Sequence, residues 1–178
     1  MSVFRRILAG VFAVTVLFSA AGCKKQPDIE DSCFILAMGF EKINQNKFLI
    51  RYSYADFDGG ESNMGTKVPS KSVTFLASSF ENANQIWQKY QSKQLNFGHL
   101  KAVIFGDSQM DETLVKELLQ NPQIAKSVFV LKTKKGIDEI FSREKNLPIS
   151  FGEYIAQTIE NSEKIREPKN LTLGRIMY

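Results

Sequence analysis

Four consecutive apolar residues, Ala102-Val103-Ile104-Phe105, lie between two segments of helical periodicity. Successive strand side chains point to opposite faces, so a strand apolar at every position must be covered on both sides. That is the pattern of a sheet with helices on its two faces. Gly106-Asp107-Ser108 then closes the run with turn chemistry. The run reads as the central strand of the domain. Leading into it, Asn96-Phe97-Gly98-His99-Leu100-Lys101 holds the single histidine of the chain. His99 alternates with Phe97 and Val103, which predicts a half-buried, hydrogen-bonded imidazole on one strand face.

The flanking segments supply the covering layers. Ile35–Glu41 and the β-rich Lys47–Ala55 are predicted to form a hairpin across Asn44-Gln45-Asn46. Asp56 to Ser70 reads as a loop, punctuated by Asp58-Gly59-Gly60, Gly65 and Pro69. Asp56 and Asp58 lack the closing glutamate of a calcium loop and read as turn residues. Lys71–Ala77 is a short strand. Ser78-Ser79-Phe80-Glu81 has capping-box spacing, and Ala83, Ile86, Trp87 and Tyr90 continue as a helix toward Lys93, with Trp87 and Tyr90 as core contacts. Beyond the central strand, Leu114, Val115, Leu118 and Leu119 stripe a helix that Asn121-Pro122 ends. Ser127–Thr133 is another two-sided strand, and Ile137, Ile140 and Phe141 mark a short helix. After Leu147-Pro148, Ser150-Phe151-Gly152-Glu153 offers a second capping box before Tyr154, Ile155 and Ile159. Strand, helix, strand, helix, strand implies right-handed crossovers and a partly parallel sheet. The fold class is therefore α/β: a single domain with a mixed β-sheet flanked by helices.

The N-terminus has a separate logic. Arg5-Arg6 precede an apolar run from Ile7 to Ala20, too short for a spanning helix and suited to a signal peptide. Ala20-Ala21-Gly22-Cys23 ends it like a bacterial lipobox, although leucine is more usual than alanine at the first position. On this reading Cys23 is the lipidation site, diacylated through its thiol with chains such as palmitate. Each buried acyl methylene contributes about 0.8 kcal/mol to membrane anchoring. The alternative is an ordinary secreted chain that keeps Cys23 as a thiol. Removing Arg5 and Arg6 from the 23 basic residues leaves a near balance against 19 acidic ones. No basic block stands out, so no nucleic-acid partner is expected. Cys33 is then the one remaining cysteine, in an apolar setting, and reads as a buried thiol rather than a nucleophile. The expected organisation is a lipoprotein signal peptide at 1–22, a tether at 23–31, the α/β domain at 32–165 and a following segment at 166–178.

Several stretches together resemble one family. Leu95-Asn96-Phe97-Gly98-His99-Leu100-Lys101-Ala102-Val103-Ile104-Phe105-Gly106-Asp107 is similar to the aromatic–small–His–Leu–Lys–apolar strand of the Ger(x)C (GerAC-like) spore germination lipoproteins. Gly39-Phe40-Glu41-Lys42 resembles that family's glycine–apolar–acidic–lysine turn, with Glu41 where aspartate is usual. The lipobox and the order of the later helices and strands agree. The resemblance implies a lipid-anchored subunit of a nutrient germinant receptor, working beside integral membrane subunits at the extracytoplasmic face of the spore inner membrane. It implies no enzymatic activity. Members of that family are usually longer, so Pro168–Tyr178 reads as the start of a further segment cut short.

The chemistry of the residues agrees with a non-enzyme. One histidine leaves no room for alternative Ser–His or Cys–His pairs, and no Gly-x-Ser-x-Gly elbow occurs. Metal-ligand spacing, Gly-x-Gly-x-x-Gly and Walker patterns are missing from the sequence. No catalytic residue, cofactor or metal is expected. The alternative function is a generic extracytoplasmic solute-binding or envelope-scaffolding lipoprotein, and small-molecule binding stays open at this stage.

Overall fold

Thirteen residues, Ser32–Asn44, form β1, the strand on which the rest is assembled. The computed structural model describes residues 31–56, 70–108, 110–162 and 171–176. The elements after β1 are β2 (Lys47–Ala55), β3 (Ser70–Ala77), α1 (Phe80–Tyr90), β4 (Gln94–Asn96) and β5 (Ala102–Phe105). They continue with α2 (Glu112–Gln120), β6 (Phe129–Lys132), α3 (Ile137–Phe141) and α4 (Phe151–Glu160). The six-stranded sheet has the order β3-β2-β1-β5-β6, with β4 added alongside the first residues of β1. β1–β2 and β2–β3 are antiparallel, whereas β1–β4, β1–β5 and β5–β6 are parallel. The α/β class with a mixed, helix-flanked sheet is as expected from sequence. The predicted signal peptide, Cys23 and the tether up to residue 30 lie outside the described residues, as does most of the Asp56–Ser70 loop.

The middle strand is β1, not β5. β5 lies one place over, between β1 and β6, with all four residues buried. Its alternation builds two cores. Val103 and Phe105 join the cluster under α1 and α2, while Ala102 and Ile104 join a second cluster under α3 and α4. The larger cluster includes Phe80, Ala83 and Trp87 of α1 and Leu114, Val115 and Leu118 of α2. The smaller one packs Ile137, Phe141, Phe151, Ile155 and Ile159 against Ala37 and Ile104. The result is helices, sheet, helices.

A bulge in β1 explains why its sequence alternates only loosely. Ile35 faces Tyr54 and Ala37 faces Ser53, so β1 advances two residues while β2 advances one. The slip resets the face. Cys33 and Ile35 point into the larger core before it, Met38 and Phe40 after it. The Leu36 carbonyl at this point accepts the Lys101 N–H at 3.0 Å. The first turn of α4 sits against the same carbonyl, and a Cβ at Gly152 would lie 2.1 Å from the Leu36 oxygen. Only a glycine permits that approach.

The helix caps differ in detail from the expected ones. Ser79, not Ser78, is the N-cap of α1 and accepts the Asn82 N–H at 3.0 Å. Asn82 reciprocates toward the Ser78 N–H, so Glu81 takes no part. α1 ends at Tyr90, which is 71% exposed and not a core contact, unlike Trp87. Ser150 caps α4 as expected, by accepting the Glu153 N–H. Leu171–Ile176, predicted to open a following segment, packs on this domain: Thr172 bridges to Phe129, and Leu173 is fully buried.

Candidate functional site

Gly39-Phe40-Glu41-Lys42 is strand, not turn, because the chain reverses later, at Gln45-Asn46. Its four side-chain positions tie both helical layers to β1. Gly39 faces α3, where an added Cβ would meet the Phe141 ring at 2.7 Å. Phe40 points the other way and stacks on Phe105 with ring centroids 5.5 Å apart. Glu41 returns to the α3 side, where its Oε2 accepts the Ile137 N–H at 2.7 Å and caps that short helix from a distant part of the chain. Gly106 and Gly136 leave space for the carboxylate, since a Cβ on either would sit within 3.3 Å of Glu41 atoms.

Lys42 completes the alternation by binding Asp111 at 3.0 Å, and Asp111 is itself the N-cap of α2. Burial alone would raise the Asp111 carboxyl. Hydrogen bonds from Lys42 and from the Leu114 and Thr113 N–H groups outweigh it and hold the pKa below the usual carboxylate value. This support is complete above the unfolded-state pKa and is lost as pH falls through the lower folded one. Replacing Glu41 with alanine leaves the first N–H of α3 without its acceptor. A five-residue helix has little stability of its own. The expected cost in urea denaturation is about 1–2 kcal/mol, and an unchanged midpoint would show that the cap is idle.

His99 is not on a strand. Asn96 Oδ1 accepts the Gly98 N–H at 2.9 Å, which turns the chain after β4 and leaves His99 exposed. The imidazole rests edge-on against Phe34, with centroids 5.2 Å apart. Its neighbours do the structural work. Phe97 and Leu100 are core residues. The Lys101 backbone joins β1 to β6 by donating to Leu36 and accepting from Phe129, both at 3.0 Å.

Cys33 is a free, buried thiol, as the sequence predicted. Burial pushes it up to about 12, with only partial relief from Lys93. Thiolate is the reactive form, so a thiol held in this state is inert near neutrality. In a Cys23→Ala chain, where Cys33 is the single thiol, a chromogenic disulfide reagent at pH 8 is expected to react only after unfolding. Reaction of the folded chain at the rate of a free thiol would contradict this placement. Asp56 is ion-paired with Lys71 at 2.7 Å, and Asp58 lies outside the described residues. Among the described residues, no group of three or more His, Cys, Asp or Glu could hold a metal. None of the helices there is long and apolar enough to cross a membrane.

Sequence reading missed a cleft of about 830 Å³ between α1, β4 and the end of α2. Phe80 and Phe97 line it beside an unusual wall of side-chain amides, including Asn84, Gln88, Gln94, Gln120 and Gln123. Several are held in place. Tyr52 donates its hydroxyl to Asn84 Oδ1 at 2.7 Å, and Gln123 Oε1 accepts the Phe97 N–H at 3.1 Å. Glu117 accepts the Phe80 N–H at 2.8 Å, which locks α2 to the start of α1. The amides come from separate elements. Asn84, Gln88 and Gln91 share helical spacing along α1, while Gln94, Gln120 and Gln123 join them only in the fold. The local signals were that stripe and an excess of Asn and Gln between Asn82 and Gln123. A second cavity, of about 600 Å³, lies beside Arg51 and Glu144. There the buried Glu144 carboxylate accepts the Ser53 hydroxyl, a structural pairing.

No curated protein and no solved structure matches the chain. A family model described as the spore germination protein N-terminal domain matches residues 25–178. The match takes in β1 with Gly39–Lys42, the His99 turn with β5, and the Leu171–Ile176 return. The chain thus belongs to the spore germination protein N-terminal domain family, the Ger(x)C (GerAC-like) group that its sequence resembles.

Proposed function

We propose that the chain is a lipid-anchored subunit of a nutrient germinant receptor, acting by assembly with integral membrane subunits rather than by catalysis. The observation that carries this reading is the family match over residues 25–178. The buried Cys33 thiol and the exposed His99, neither of them beside a catalytic partner among the described residues, fit a binding and assembly role. In this proposal residues 1–22 are a lipoprotein signal peptide and Cys23 carries the lipid. The tether at 23–31 then holds the domain at the extracytoplasmic face of the spore inner membrane.

The test is germination of purified spores lacking this gene, complemented with wild type or Cys23→Ala. Loss of response to one set of nutrients is expected, restored by wild type and only weakly by the alanine form. Normal germination of the deletion strain to every nutrient would remove the receptor role. Full rescue by Cys23→Ala would remove the anchor.

A further inference from the structure

We infer that the cleft between α1, β4 and α2 is a binding site for a small neutral polyol. The inference stands on the cleft itself and goes beyond the receptor reading. Its volume, about 830 Å³, falls within the range of ligand pockets. Its chemistry is selective. A primary amide offers two donors and an acceptor without charge, which matches a hydroxyl that both donates and accepts.

Asn84 and Gln123 have their oxygens tied down by Tyr52 and by the Phe97 N–H, so their NH₂ ends are fixed as donors. Gln88, Gln94 and Gln120 are exposed along the walls, and their side-chain amides make no hydrogen bond among the described residues. Phe80 and Phe97 add apolar area of the kind that the C–H face of a polyol covers. An anion is disfavoured, because Glu81 and Glu117 face the cleft against the single lysine Lys93. An apolar ligand would take the amides out of water without giving them partners, which disfavours it.

The experiment uses the full chain in a non-glycosidic detergent, with myo-inositol and D-glucose as probes and L-alanine as the zwitterionic comparison. Side-chain amide resonances of Asn and Gln are followed by nitrogen–proton NMR. Saturable shifts with at least one polyol are expected, confined to amides of the cleft. A Gln88→Leu/Gln120→Leu chain should bind at least tenfold more weakly while keeping its melting temperature, because both residues are exposed. Gln94→Leu, on the opposite wall, provides an independent second variant. Absence of saturation with both polyols, saturation with L-alanine alone, or undiminished binding by the variants would overturn the assignment. None of these outcomes depends on germination, so the site and the receptor role stand or fall separately.

Discussion

Replacing Gly152 with alanine is expected to lower stability by about 2 kcal/mol or more, although alanine is the better helix former. The helix preference favours alanine by at most about 1 kcal/mol. Against it stands the Leu36 carbonyl, whose oxygen and carbon would lie 2.1 Å and 2.7 Å from the new Cβ. Both are backbone atoms of a strand hydrogen-bonded to Lys101, so neither can swing aside like the end of a side chain. Overpacking of this kind costs about 1–3 kcal/mol and more when the backbone must shift. For a chain of this size each kcal/mol moves the melting temperature by about 2–4 °C. Gly98→Ala is the control, since its nearest neighbour is the Asn96 side-chain oxygen at 3.2 Å and its φ is not positive. Equal melting temperatures for the two variants would mean that α4 does not seat on the β1 bulge.

Phe40→Ala should cost more, about 3–5 kcal/mol, the usual range for emptying a buried aromatic site. Phe40 is 1% exposed and lies between Phe105 of β5 and Phe80 of α1, with centroids 5.5 Å and 6.5 Å away. Truncation opens a cavity at the junction of the middle strand, its parallel neighbour and the first helix, where no single element can collapse into it. Phe40→Leu retains much of the volume and should lose less than half as much. The measurement is a denaturant midpoint at unchanged slope, which separates lost stability from a looser native state. A loss below about 1 kcal/mol for the alanine form would place Phe40 outside the core.

Much of this architecture was readable wherever one local rule governed a segment. Ala102–Phe105 announced a doubly covered strand, Leu114–Leu119 a helix with one apolar face, and Cys33 a buried thiol. The reading failed where two rules competed. Alternation was extended through Gly98 and His99, but the Asn96 side chain captures the Gly98 N–H and turns the chain, a signal that Asn-Phe-Gly carries. Gly39-Phe40-Glu41-Lys42 reads as a turn through its resemblance to the family's glycine–apolar–acidic–lysine pattern, whereas in the fold it is strand and its glycine makes room for Phe141. The β1 bulge was invisible because the element packed on it, the first turn of α4 at Gly152, lies far along the chain. The amide cleft was missed for the same reason: Asn84, Gln94 and Gln120 become neighbours only after α1, β4 and α2 are in place.

The position of β1 also has a mechanical meaning. It is the first strand among the described residues, yet it lies in the middle of the sheet, bonded to β2 on one side and to β4 and β5 on the other. Tension that reaches the domain through the residues before Asp31 arrives at the end of this strand and runs along its axis. Ladder bonds lie across that axis, so the strand must slide past all its neighbours at once instead of unzipping pair by pair. Forced unfolding is governed by the height of such a barrier. A pull from that end therefore moves the whole domain as a handle would.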